Sequence, residues 1–431
     1  MEKEIDLGKK YYFPEEIAVK KVENIYLVIY TEGCLWLVLE EEELSVFRAL
    51  QAGCDIEQCL ERFDQDAVIS TITQIEAKDF EHPRIIDKET KSLCIYLTNN
   101  CNERCKHCYM YAGSVKMEEL PVCEWKRVLR EFRECGGEAV TFSGGEVTVY
   151  PGYAEVIQFA HGLGLSVTVL SNGISWISDD ISVLKDSIDE IQISIDGYDR
   201  QSYMAVRNFD GFEKALSTAK AFCKAGCRVS VAVTPLMEGL DEFIDGFKTF
   251  AYKLQEEFPD IFIKVSAELL EGRELKISRE ENRQYKKMLK AMVEELMPGF
   301  YAETFVLNYL ENNKKRNCGF GNITVASNGD VYWCNRIFEL ESDWNVRDFS
   351  MHEIMEKALL VKECISVENS TLCKHCEIRY ICGGGCRVDY PGILQPLSWQ
   401  KEWENTCTPE RKMDFYQKMI LGNEYFYLES E

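Results

Sequence analysis

The sequence predicts an α/β protein. A parallel sheet closes into a full or partial barrel, with a small unit before it and a cysteine-rich unit after it. Three observations predict this. From residue 93, six β-rich runs alternate with helical segments. Residues 1–80 have another rhythm, a hairpin followed by helices. Beyond residue 300 the alternation is lost and Cys and Gly accumulate.

The elements follow in order. Ile25–Tyr30 and Cys34–Leu39 are apolar β-rich runs separated by Thr31-Glu32-Gly33, a hairpin signal within a two- or three-stranded sheet. Glu40 to Glu43 place acids where a helix N-terminus favours them. Leu44, Phe47 and Leu50 follow at helical spacing, up to Gly53. Two more helical stretches fit at about 55–63 and 66–80. Residues 1–82 thus form one unit, and the polar stretch 83–92, with Pro83, is a linker. Residues 93–300 carry strands at Leu93–Thr98, Ala139–Phe142, Ser166–Leu170, Ile191–Ile195, Arg228–Val233 and Ile261–Val265. Helices such as Glu124–Glu134 and Phe212–Ala225 lie between them. In barrels of this kind the chemistry sits on loops after the strands' C-terminal ends. Here those loops read Thr98-Asn99-Asn100-Cys101, Ser143-Gly144-Gly145-Glu146, Ser171-Asn172-Gly173 and Asp196-Gly197. Residues 301–431 form the C-terminal unit.

Composition narrows the function. The 431 residues are 46% hydrophobic and 12% aromatic, enough apolar material for a large core. A formal net charge of −24 repels phosphate and argues against a nucleic-acid partner. No stretch approaches the ~20 apolar residues of a membrane span. The charged start, Met1-Glu2-Lys3-Glu4, lacks the apolar run of a signal peptide. A cytoplasmic protein with no membrane partner is expected. In a reducing compartment, nineteen Cys suggest metal or cluster ligation rather than disulfides.

Cys101-Asn102-Glu103-Arg104-Cys105-Lys106-His107-Cys108 has the spacing C-x3-C-x2-C. Three thiolates on one short loop can hold three irons of a [4Fe-4S] cube and leave the fourth open. A zinc site or unrelated buried thiols are the alternatives, although zinc takes four ligands and no fourth is close in sequence. Gly144-Gly145-Glu146 allows close approach of main chain to a ligand, or is a plain βα turn. Asp196 and Arg207 fit a helix cap and a surface ion pair, and Asn172 fits a structural turn.

The three-cysteine loop after one strand, with Gly-Gly-Glu after the next, resembles the radical S-adenosylmethionine superfamily. The resemblance implies a cluster on Cys101, Cys105 and Cys108 whose open iron chelates the methionine amino and carboxylate groups. One electron then releases a 5′-deoxyadenosyl radical. It implies that His107 is the aromatic residue before the third Cys, and that Gly144, Gly145 and Glu146 bind the methionine amino group. Val147 stands where the family often has Pro. Ser194 and Arg207 would contact the cofactor carboxylate and ribose, and Asn172 is grouped with them.

Cys318, Gly329 and Cys334, then Cys373-x2-Cys376-x5-Cys382-x3-Cys386, and finally Cys407, match the seven-cysteine pattern of the SPASM extension. A zinc ribbon is the rival, but seven thiolates exceed one zinc. The resemblance implies a second auxiliary cluster on Cys373, Cys376, Cys382 and Cys407, and a first on Cys318, Cys334 and Cys386. That makes three [4Fe-4S] clusters in all. Residues 311–317 hold no thiol. The first auxiliary cluster would therefore have an iron open to a substrate thiolate, unless Cys364 takes it. The other cysteines read as small buried hydrophobes.

Asn24 to Phe63 resembles the RiPP recognition element, a winged-helix-like module that binds a leader peptide. The resemblance implies that a leader pairs with the edge strand Cys34–Leu39 beside the helix at 66–80. A generic cap on the barrel and a DNA-reading winged helix are the alternatives, the latter disfavoured by acidity. Together these features imply a radical S-adenosylmethionine/SPASM maturase of a ribosomally made precursor peptide, forming thioethers and fed by a flavodoxin- or ferredoxin-type donor. Carbon–carbon crosslinking, residue oxidation as in sulfatase maturases, and a non-catalytic iron–sulfur peptide-binding or electron-transfer protein are the other readings.

Overall fold

The computed structural model describes residues 6–84, 91–114, 118–266, 269, 271–301, 305, 314–335, 342–387 and 407–424. Part of the linker (85–90) and residues 311–313 of the thiol-free stretch lie outside them. The chain divides into two compact units. The first holds residues 1–89, 299–320 and 362–431; the second holds 90–298 and 321–361.

The first unit opens with an antiparallel sheet in the order β1 (Ile17–Val22), β2 (Ile25–Tyr30), β3 (Leu35–Leu39). Helices α1 (Glu41–Gln51), α2 (Ile56–Leu60) and α3 (Gln65–Ala77) follow. The acidic run starts α1: Glu40 is its N-cap and forms a capping box with Glu43. Leu44, Phe47 and Leu50 are buried, as their spacing predicts. They pack with Phe13, Val28, Leu37, Val68, Ile72 and Phe80 in one core.

β3 is a sheet edge, but it is closed. Its pairing with β2 turns the main-chain groups of Trp36 and Val38 outward. The Gln74 side chain of α3 meets both groups of Val38: its Oε1 accepts from the N–H at 3.0 Å and its Nε2 donates to the carbonyl at 2.7 Å. Lys78 Nζ donates to the Trp36 carbonyl at 3.0 Å. The expected edge strand at Cys34–Leu39 is thus an edge, with α3 side chains on main-chain groups that a guest strand would use. Gln74→Ala should cost about 1–3 kcal/mol, the penalty for buried groups left unpaired. Hydrogen exchange at the Val38 amide should speed up by on the order of tenfold, which amide-resolved mass spectrometry would read.

The same unit contains the cysteine-rich tail. The short turn Cys373–His375 leads into α12 (Arg379–Cys382), and α13 (Pro409–Leu421) follows. β3 packs on this tail: Cys34 Sγ donates to the Tyr380 carbonyl at 3.3 Å, and Trp36 Nε1 donates to the Met419 carbonyl at 3.0 Å.

The second unit is built on a sheet in the order β11-β10-β4-β5-β6-β7-β8-β9. Six of its strands are those expected: β4 (Ser92–Thr98), β5 (Ala139–Gly144), β6 (Ser166–Ser171), β7 (Glu190–Ser194), β8 (Arg228–Val233) and β9 (Phe262–Val265). Each is parallel to its neighbour. The helices between them include α4 (Val122–Glu134), α5 (Tyr153–Gly162), α6 (Ser178–Leu184), α7 (Arg200–Arg207), α8 (Phe212–Lys224) and α9 (Leu240–Glu257); α10 (Arg279–Leu296) follows β9. This is the repeated βα architecture of a partial barrel. In α4, Trp125, Val128, Leu129 and Phe132 face the sheet at helical spacing and join its core.

Residues 321–361, which cysteine spacing groups with the C-terminal unit, belong here. β10 (Ile323–Val325) pairs parallel with β4 and extends the sheet, and β11 (Val331–Tyr332) returns antiparallel. α11 (Met351–Cys364) follows. Both strands are too short for a periodic signal, but Asn328-Gly329 between them is a hairpin cue. Among the described residues, no helix is long and apolar enough to cross a membrane.

Candidate functional site

The C-x3-C-x2-C loop leaves β4 at Thr98 and is clamped from three sides. From β5, the Gly145 N–H donates to the Thr98 carbonyl at 2.7 Å, and the Glu146 N–H donates to the Asn100 carbonyl at 2.9 Å. The glycines serve this contact: a Cβ on Gly145 would lie 2.0 Å from the Asn100 carbonyl oxygen, and one on Gly144 2.4 Å from that of Thr98. From beyond β9, the Arg273 N–H donates to the Cys108 carbonyl at 3.2 Å and the Glu274 N–H to that of Lys106 at 2.9 Å. From α7, the Val206 carbonyl accepts from the Lys106 N–H at 3.0 Å. The segment Gly272-Arg273-Glu274 carries no sequence motif, so only the fold reveals it.

Gly145→Ala tests this clamp. Its methyl would strike main chain on the cysteine loop. The variant should lose the iron that this loop takes up on anaerobic reconstitution, about four atoms per chain; iron and sulfide analysis reads the loss.

A buried charge network lies under the loop. Glu103, between Cys101 and Cys105, is 1% exposed. It accepts from Tyr203 Oη at 2.7 Å and from Arg207 Nη1 at 2.5 Å. Arg207 Nε donates to Asp196 Oδ2 at 2.8 Å. Asp196 Oδ1 accepts from the Thr234 N–H at 2.6 Å, and His107 Nε2 stands 3.4 Å from Asp196 Oδ2. Arg207 is thus ion-paired, but in the interior. Its guanidinium is held by two carboxylates that tie the cysteine loop to the loop after β7. That corrects the expectation of a surface ion pair. Sequence reading missed Glu103 because a lone acid inside a cysteine motif gives no periodic or spacing signal.

Glu146 is also fully engaged. Its carboxylate accepts from Thr148 Oγ1 and Ser171 Oγ, each at 2.7 Å, and from the N–H groups of Thr148 at 3.2 Å and Asn172 at 2.7 Å. Burial raises its pKa, and these donors oppose the rise. The carboxylate therefore organises the loops after β5 and β6. Asn172 Nδ2 donates to Asn102 Oδ1 at 2.6 Å and lies 4.0 Å from Cys101 Sγ, so it supports the cysteine loop. Ser194 ends β7, half-buried, and its hydroxyl has no hydrogen-bond partner among the described residues.

Two features mark this place as built for a ligand. His107 Nδ1 and Arg273 Nε are buried without a partner among the described residues, which is costly unless something bound there completes them. Burial keeps His107 below its usual pKa, so the imidazole is neutral near neutral pH. The thiols are half-buried, and burial pushes Cys101 up to about 11. Among the described residues, no three Cys, His, Asp or Glu side chains close on the point a single ion would fill.

The tail holds a second constellation. Cys373, Cys376, Cys382 and Cys407 line one pocket with Arg379, Arg411 and Lys412. Cys318 and Cys386 hydrogen-bond each other, which holds the Cys318 thiol below the usual thiol range. Cys334 belongs to the other unit, where Cys94 of β4 is among its neighbours. Cys364 is exposed at the end of α11, and no contact joins it to another cysteine among the described residues.

Residues 95–245 match the family model described as the Radical SAM superfamily. These residues are a radical S-adenosylmethionine domain. The sporulation killing factor maturation protein SkfB of Bacillus subtilis (strain 168) is 32% identical over 36% of this chain and 38% of its own length. The AdoMet-dependent heme synthase of Oleidesulfovibrio alaskensis is 26% identical over 68% of this chain and 81% of its own. The match to SkfB, the first of these relatives, thus spans well under half of that protein. Among solved structures, native anSMEcpe with bound AdoMet aligns over 78% of this chain and 99% of its own, with a TM-score of 0.56 and 18% identity. That likeness shows the fold, a parallel sheet of the radical S-adenosylmethionine type.

Proposed function

We propose that this chain is a radical S-adenosylmethionine maturase of a ribosomally made precursor peptide. The observation that carries the reading is the C-x3-C-x2-C loop, held at the C-terminal ends of β4 to β7 above a buried charge network. Cys101, Cys105 and Cys108 would hold a [4Fe-4S] cluster, with S-adenosylmethionine on its open iron. When bound, this pair supplies a radical able to remove hydrogen from an unactivated carbon. The chain's own residues do the rest. Glu146 and Asn172 fix the loops that face the cofactor. His107 Nδ1, Arg273 Nε and the Ser194 hydroxyl are the polar groups left to meet it. The tight packing of Gly144 and Gly145 on Thr98 and Asn100 fixes where the cysteine loop stands.

The relative SkfB supports a peptide substrate by its printed name, a maturation protein for a killing factor. The heme synthase relative supports only the shared radical chemistry. Two auxiliary clusters on the seven tail cysteines complete the proposal. An open iron on the first would take a substrate Cys thiolate and favour a thioether product. A leader strand has two routes into the first unit. It adds to β1, where the outward main-chain groups of Val19 and Lys21 have no partner among the described residues, or it displaces Gln74 from β3. Gln74→Ala separates them: leader binding tightens for β3 and is unchanged for β1.

The test is anaerobic turnover with S-adenosylmethionine, dithionite and short peptides encoded beside the gene. The reading expects 5′-deoxyadenosine and a peptide lighter by two hydrogens per link, with Cys alkylation blocked for a thioether. Turnover of a small molecule with no change in any peptide would replace this reading with another radical activity.

A further inference from the structure

The tail loop Cys382-Gly383-Gly384-Gly385-Cys386 joins the two auxiliary ligand sets, since Cys382 belongs to one and Cys386 to the other. All three of its glycines have positive φ, at 63°, 78° and 85°. That run of left-handed backbone is open to Gly and closed to side chains. It turns its carbonyls toward a single group, the guanidinium of Arg387. Nη1 donates to the Gly385 carbonyl and, at 3.3 Å, to the Gly383 carbonyl; Nη2 donates to the Ile365 carbonyl at 2.7 Å. Arg387 is 1% exposed and is among the largest fully buried side chains.

A buried guanidinium keeps its charge, and the carbonyls of Gly383, Gly385 and Ile365 help to solvate it. Among the ionisable groups that act on it are the thiols of Cys318, Cys373, Cys382 and Cys386, two from each auxiliary set. Lys412 has a narrower reach. It hydrogen-bonds Cys376 and interacts with Cys407, both of the second set.

We propose that Arg387 is the shared counter-ion of both auxiliary clusters: a positioning residue, not a ligand, whose buried charge raises the reduction potential of the two together. This rests on the two-cluster reading of the tail. The physical reason is direct. Reducing a cluster adds negative charge, and a nearby buried cation stabilises the reduced form more than the oxidised one. Because the guanidinium grips the segment between the two ligand sets, it acts on both.

The experiment uses the full chain with Cys101, Cys105 and Cys108 replaced by Ala, so that only the tail can hold clusters. After anaerobic reconstitution, a potentiometric titration followed by electron paramagnetic resonance gives each midpoint. Arg387→Gln should move both midpoints to more negative values. Arg387→Lys, which keeps the charge, should leave them near the parent, and Lys412→Gln should move one alone. Arg387→Gln moving neither midpoint, or only one, overturns the proposal while leaving the clusters in place. If Arg387→Gln takes up no iron, Arg387→Lys decides. Iron with near-parent midpoints supports the charge role, and no iron in that variant either reduces Arg387 to a structural fork. Fewer than two clusters in the parent refutes the tail reading itself, and the shared counter-ion with it.

Discussion

Cys105→Ala should abolish reductive cleavage of S-adenosylmethionine. The three thiols lie on one loop of eight residues, and neither nearby carboxylate can replace a missing one. Glu103, the nearest carboxylate, is already bound to Arg207 and Tyr203. Asp196 is held by Arg207 and the Thr234 N–H. A cube with two protein ligands is lost, and with it the open iron that positions the sulfonium. Formation of 5′-deoxyadenosine from S-adenosylmethionine and dithionite, followed by liquid chromatography, should fall to background. The iron that the proposed tail clusters would hold should persist, because Cys373, Cys376, Cys382 and Cys407 line a pocket of their own. Retained cleavage would mean that the cluster is held elsewhere.

Arg207→Leu should be among the most destabilising single substitutions in the second unit. The side chain is 5% exposed, and removing its charge leaves the Glu103 and Asp196 carboxylates buried together without a cation. Breaking a buried ion pair by deleting one partner costs about 3–5 kcal/mol. For a unit of this size that corresponds to a fall of roughly 6–20 °C in its melting temperature. The loss should shrink in the double variant Arg207→Leu with Glu103→Leu, because one stranded charge is removed with its partner. Differential scanning fluorimetry on the chain without iron separates this effect from cluster loss. An unchanged melting temperature would mean that water reaches the network.

The parallel sheet was legible because its period is simple. Runs such as Leu93–Thr98 and Arg228–Val233 are β-rich strands separated by amphipathic helices, and the structure pairs each with its neighbour. β10 and β11 escaped because runs of three and two residues carry no period of their own. They are strands only because β4 offers an edge to pair with. The cysteine loop was legible from its spacing, since ligands on one loop need no tertiary knowledge. The roles of Arg207 and Glu146 were not. Each is a charged residue whose partners lie far along the chain, Glu103 for one and Ser171 and Asn172 for the other. The closed edge of β3 was hidden for the same reason: nothing local in Gln74 says that it will mimic a strand.

The central claim is that three thiolates hold a cube with one vacant iron, at which S-adenosylmethionine is split. The most direct test reconstitutes the full chain anaerobically with iron and sulfide, adds S-adenosylmethionine and dithionite, and quantifies 5′-deoxyadenosine beside the iron content of the loop. Cluster-dependent formation of that nucleoside is the expected result. A fully iron-loaded protein that forms none, or a loop that takes up zinc in place of iron, would contradict the account.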